Sequence, residues 1–244
     1  MKKLPVVLAL LLAVGLQAQI QPAHLHSSRH FYAPTGRTIP ADSIYLNWVG
    51  PLIDVNFGIT DHLTAGIGTP LFTGVYGTLN YGGALNEQES IYGRVGNLTG
   101  FPVVGNGLYS LPYGAITFGP AHSEITLAGG YFFMSNGLQE TLFGSDADAL
   151  NPNSPILSIG GYHQLNNRLG LAYEAWYLTA SDWVIIMPGV RFYTNRSRRY
   201  WNIGIIRLSA PYVQRVYDPV TGESTNVRKI QNITLPMFSF AAYL

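Results

Sequence analysis

The chain contains no cysteine, which excludes a disulfide framework and thiolate chemistry. It is also poor in charge. Only 11% of its 244 residues are Asp, Glu, Lys or Arg, against roughly 25% in soluble domains. Lysine occurs only at Lys2, Lys3 and Lys229. Setting Lys2 and Lys3 aside leaves 12 Lys+Arg facing 13 Asp+Glu, so no basic footprint for nucleic acid exists. Beyond the first twenty residues no run of 18 apolar residues occurs, which excludes a transmembrane helix there. No Gly-x-Ser-x-Gly elbow is present, and no motif calls for a cofactor.

Glycine (27), tyrosine (16) and period-two alternation are what the chain has in quantity. Residues 1–19 read as a secretory signal: Lys2 and Lys3, an apolar stretch from Leu4 to Leu16, and Ala18 before the cleavage point. The remaining 20–244 form one domain, undivided by any Pro/Ser-rich linker. Low charge, many aromatics and apolar residues at every second position predict an all-β fold, a single transmembrane antiparallel β-barrel. A secreted β-sandwich would carry more charge on its outer faces.

Alternation places strands at Arg29–Arg37, Ser43–Thr60, Leu63–Phe72, Gly74–Ala84, Glu89–Leu98, Leu108–Phe118, Ser123–Phe133, Pro155–Gln164, Arg168–Thr179, Trp183–Tyr193, Tyr200–Tyr212 and Asn232–Leu244. These are twelve, and the even count puts both ends at one rim. Short connections such as Asp61-His62 alternate with an outer set that holds the long ones, Thr99–Gly107, Met134–Ser154 and Val213–Gln231, and two short exceptions, Thr73 and Ala180–Asp182. The short set is expected in the periplasm and the long set outside. The closing strand turns Phe238, Phe240, Ala242 and Leu244 to one face, expected to meet lipid. Leu169, Leu171, Tyr173, Ala175 and Tyr177 share the lipid face of their strand, because Glu174 on the other face would be costly in hydrocarbon. Trp48, Tyr131, Trp183, Tyr193 and Tyr200 are expected at the interfacial girdles. Pro188 and Pro236 fall inside strands and mark bulges or rim positions.

The chain resembles a family of uncharacterised outer-membrane β-barrel proteins common in Bacteroidetes-type bacteria. The resemblance rests on Phe31-Tyr32-Ala33-Pro34-Thr35-Gly36-Arg37, Val55 to Leu63, Leu111 to Gly119, Tyr173-Glu174-Ala175-Trp176 and Pro236. It implies an outer-membrane barrel and brings no catalytic residues. Such barrels usually end in Phe, which the insertion machinery reads; here the last residue is Leu244.

Candidate sites are few. Asp54, Arg94, Glu174 and Arg191 are expected to be luminal, where charges either line a polar path or pair up and close it. His24, His26 and His30 offer a loose metal cluster or simply a polar segment. Asp146, Asp148 and Asn151 offer calcium oxygens or ordinary turn residues. Arg196, Arg198 and Arg199 crowd one short turn and suit lipid phosphates or solvent. A serine hydrolase needs a Ser–His pair with a third group to orient it. Glu174 falls well above His163, which alternates to the lipid side, and the adjacent His122 and Ser123 point to opposite faces, so no enzyme, metal or cofactor is expected. The leading expectation is a passive channel for small solutes in the bacterial outer membrane. The alternative is a non-conducting barrel acting through its long outer loops. The expected partners are outer-membrane lipids and the barrel-insertion machinery.

Overall fold

The computed structural model describes residues 28–70, 74–103, 107–135, 153–194, 199–217 and 224–244. The signal-peptide reading of 1–19, His24, His26, Asp146, Asp148, Asn151, Arg196 and Arg198 lie outside the described residues. Twelve strands form: β1 (Ile44–Val49), β2 (Leu52–Gly58), β3 (Leu63–Pro70), β4 (Gly74–Ala84), β5 (Ile91–Pro102) and β6 (Tyr109–Phe118). They continue as β7 (Ser123–Met134), β8 (Ser154–Asn166), β9 (Leu169–Leu178), β10 (Trp183–Tyr193), β11 (Arg199–Tyr217) and β12 (Ser224–Tyr243). Each pairs antiparallel with its sequence neighbours, and β1 closes on β12 from Tyr45↔Tyr243 to Val49↔Ser239. The result is a closed barrel.

Alternation sets which face each side chain takes. In β9 and β10, Ala172, Glu174, Met187 and Arg191 are buried inside, while Tyr177, Ile186 and Phe192 are exposed outside. In β12, Met237, Ser239 and Ala241 are buried inside. Phe238 and Leu244 are exposed on the outer face, and Phe240 lies against Trp201 at 4.6 Å between ring centroids. Large exposed apolar residues occur on the outer face of every strand from β1 to β12.

Two expected strands are replaced. Arg29–Arg37 is not a wall strand, and its one ladder contact is the isolated bridge Arg29↔Pro34. Ser43–Thr60 is two strands, because the chain reverses at Gly50-Pro51 and Ile44 returns to pair with Phe57. Gly50 has φ +51°, a left-handed conformation that glycine adopts without steric cost. The count of twelve therefore holds, with the Gly50-Pro51 hairpin in place of the first expected strand.

Three further corrections follow from register. Val213–Gln231 is mostly strand, since β11 and β12 stay paired out to Tyr217↔Ser224. Tyr193 and Tyr200 are not girdle residues: they pack edge-on inside the barrel, 6.0 Å between ring centroids. Pro188 breaks only its own stretch of ladder. The β10–β11 pairing lapses between Ile186↔Arg207 and Gly189↔Gly204 and resumes without a slip.

Gly50→Ala forces a β-carbon into a left-handed residue, at a cost of about 1 kcal/mol. Urea unfolding of the refolded barrel should show that loss with the strand content unchanged.

Candidate functional site

A twelve-stranded barrel is too wide for its wall side chains alone to fill, and the next larger barrels hold open channels. Here residues 28–40 enter the lumen and occupy it. The segment rises from the short-turn rim, where the Thr38 hydroxyl donates to the Asp61 carbonyl at 2.6 Å and Ala41 N donates to Asp61 Oδ1 at 3.1 Å. It then folds back on itself. Thr35 N donates to the Ser28 carbonyl at 2.9 Å, closing a loop over residues 28–35.

Two apolar anchors hold the loop. Phe31 is buried among Val49, Tyr162, Ala172, Met187 and Met237. Ile39 is buried lower down with Tyr45, Tyr200, Ala241 and Tyr243. Full burial of one such side chain stabilises by about 1.5–3 kcal/mol.

Polar contacts define the rest. The Glu174 carboxylate accepts from Phe31 N at 2.9 Å and from Tyr32 N at 3.1 Å, and also from Trp176 Nε1. Arg191 donates to the His30 carbonyl and to Asn202 Oδ1, each at 2.8 Å, with its guanidinium over the Tyr200 ring at 4.0 Å. Arg94 donates to the Ser28 carbonyl at 3.1 Å. Asp54 meets Arg29 at 3.4 Å and accepts from Tyr76 OH at 3.1 Å. So Asp54, Arg94, Glu174 and Arg191 all lie buried inside the barrel. All four are engaged by the N-terminal segment rather than facing an open path.

Sequence reasoning missed two pairs in this network. Arg37 and Glu124 form a buried ion pair at 2.8 Å, with Arg37 also over the Tyr92 ring at 3.8 Å. The Thr117–Thr126 hydroxyl pair, 2.6 Å apart, receives Gly36 N at 2.7 Å and lies 3.0 Å from His30 Nε2. Glu124 alternates inward with Thr126, so its facing was readable; its partner was not. Gly36 is required by close approach, since a β-carbon there would sit 2.3 Å from the Tyr92 carbonyl oxygen. Burial, with Arg191 nearby, pushes the His30 imidazole well below its ordinary value. That keeps it neutral.

The barrel wall carries one pair that alternation alone did not assemble. Ser123 and His163 are direct partners across β7 and β8, with Ser123 Oγ 2.8 Å from His163 Nδ1. They sit on the outer face near the short-turn rim. The far nitrogen, Nε2, meets Tyr173 OH at 3.4 Å rather than a carboxylate. Glu174 stands on the opposite face, paired with Gly160. Arg199, the described member of the basic turn, pairs with Ala242 in the ladder. Among the described residues no group of three His, Cys, Asp or Glu side chains is placed to hold a metal ion.

No family model matches the chain, and no curated protein matches it. Solved barrels do. A NanC porin matches at TM-score 0.46 and 13% identity, over 83% of this chain and 98% of that one. A Pseudomonas aeruginosa FadL homologue matches at TM-score 0.34 and 10% identity, over 79% and 77%. In vitro folded OmpT, an outer membrane protein of Vibrio cholerae, matches at 0.30 and 10%, over 82% and 94%. The likeness is one of barrel architecture and extends no further.

Two outcomes follow for the luminal segment. Glu174→Ala removes the acceptor of two backbone N–H groups; hydrogen bonds to a charged group contribute about 1.5–3 kcal/mol each. A cysteine placed at Ser28, in a chain with none of its own, should then react faster with a soluble maleimide. The buried His30 has a folded pKa near 3 against 6.5 when free. A depressed value means that protonation favours release, so docking is strongest above pH 6.5 and weakens below it. The limit is about tenfold per pH unit. The labelling rate, corrected against His30→Asn at each pH, should rise between pH 6.5 and pH 5.

Proposed function

We propose that this chain is an outer-membrane β-barrel whose pore is closed at rest by its own N-terminal loop. Small solutes pass only when residues 28–40 leave the lumen. The membrane placement is supported by the apolar outer face of all twelve strands, around a lumen lined by buried Asn, Thr, Glu and Arg. A soluble protein seldom exposes so continuous an apolar surface. In this reading the short turns face the periplasm and the long connections face outward.

The observation that carries the proposal is the polar character of the seal. Arg29–Asp54, Arg37–Glu124 and the backbone groups held by Glu174, Arg94 and Arg191 leave a hydrophilic lining once the loop is gone. A barrel filled only for rigidity needs no such lining. Water can replace each of these bonds, so the loop can leave without stranding buried charge in a dry interior. The extent of the network favours a second reading, a barrel that never opens and acts through its outer rim.

Planar-bilayer conductance of the refolded chain separates the two. The intact protein should be silent for long periods, and a variant lacking residues 28–40 should give discrete, reproducible steps. A variant that inserts, resists denaturation like the intact barrel and stays silent would support the non-conducting reading.

A further inference from the structure

The wall of this barrel is uneven in height. Every strand has one end at the short-turn rim, and a tilted barrel strand climbs roughly 2.5 Å per residue. Strands β4 to β10 have 10 to 13 residues, enough for the apolar band of about 25 Å. β1 has 6 residues and β2 has 7, a wall of roughly 15–18 Å. Beside them stands β12 with 20 residues. The seam between β1 and β12 ends where Gly50 N donates to the Phe238 carbonyl at 3.2 Å. Above it, β12 has no ladder partner on that side among the described residues.

Among the described residues this leaves a gap in the outer half of the membrane-facing wall, and the sequence is adapted to it. The Phe238 carbonyl points toward β1, so the backbone groups of Pro236 and Thr234 point the same way. An unpaired N–H in hydrocarbon is costly, and proline has none. Pro236 therefore blunts the free edge at the first position above the seam. Leu235 and Ile233 alternate with the buried, inward Met237 and Ser239, and so turn toward the lumen. They are nonetheless 56% and 41% exposed, because the wall opposite stops at Val49.

At this height the lumen holds a narrow cleft of about 50 Å³. Tyr32 of the loop and Leu98, Leu111, Ile156 and Trp176 of the far wall give it a largely apolar lining, with Arg29 and Ser158 among its polar groups. These wall residues lie seven or more positions up their strands, above the level of Val49. Below them the lumen is filled by the loop, through its apolar anchors Phe31 and Ile39 and its polar contacts. Tyr32 links the cleft to the top of the seam, where its hydroxyl donates to the Val49 carbonyl at 3.3 Å, and across the gap the neighbour at this depth is lipid. The cleft is wide enough for the end of an aliphatic chain and too narrow for a bulky ring system. We infer that this gap is a lateral entrance through which the aliphatic tail of a membrane amphiphile reaches the lumen above the N-terminal loop. The inference rests on the reading above only for the bilayer and for the loop as the floor.

The test is photolabelling of the intact refolded barrel in vesicles of phosphatidylcholine doped with a phospholipid bearing a diazirine at its acyl-chain end. Mapping by mass spectrometry should find adducts on Leu235 or Ile233 and on inward residues such as Leu98 or Ile156, besides the outward Ile203 and Ile205. The double variant Ile233→Gln, Leu235→Gln should lose the inward adducts and keep the outward ones, which also report that it folded and inserted. Adducts confined to outward residues would overturn the inference. So would a dimer joined edge to edge through β12, which would make the gap a contact between copies. Conductance measured on the same preparation keeps the two proposals apart, because inward labelling does not depend on whether the lower lumen conducts.

Discussion

A carboxylate buried in the middle of a barrel has to be satisfied by groups that arrive from elsewhere in the chain. Glu174 is such a group. Its own strand supplies Trp176 Nε1, and the remaining donors are the backbone N–H groups of Phe31 and Tyr32. Around this contact the other luminal charges fall into place. Arg191 and Arg94 take the carbonyls of the same loop, and Asp54 and Glu124 take its two arginines. The loop turns a wide polar tube into a packed interior. Phe31 and Ile39 add the apolar contacts that the wall alone does not provide.

Much of this was legible in the sequence, and the limits of legibility have a physical origin. Facing along a strand depends on period two alone, so Glu174, Arg191, Met187 and Phe238 could be placed from their neighbours. Register across a short turn was equally readable, as with Glu174 above the level of His163. Register across a long connection is not. The Ser123–His163 pair spans β7 and β8, which are joined through residues 135–153. No count along the chain fixes which residues meet there. Tyr193 and Tyr200 were misplaced for a related reason: tyrosine near a strand end suits a girdle and a luminal stack equally well.

Arg29–Arg37 shows a different limit. Its residue types alternate like those of a wall strand, but its burial does not: from Ser28 to Arg37 every residue except Tyr32 is buried. A wall strand buries one face, whereas a segment packed inside a tube is enclosed on all sides. Pro34 and Gly36 were the available signals against a ladder, and Gly36 is needed where the loop touches the Tyr92 carbonyl. Gly50-Pro51 was a turn signal inside what read as one long strand. Pro236, awkward for a paired strand, is in place on the free edge of β12, where its missing N–H is an advantage.

The central claim is that residues 28–40 are an ordered part of the barrel interior. Amide hydrogen exchange of the refolded protein in lipid tests it most directly. The N–H groups of Phe31, Tyr32 and Gly36, each bonded to a wall side chain, should exchange as slowly as those of β9 and β10. Exchange of these three at the rate of an unstructured peptide, with the strands still protected, would mean that the lumen is not closed by this segment and would contradict the account.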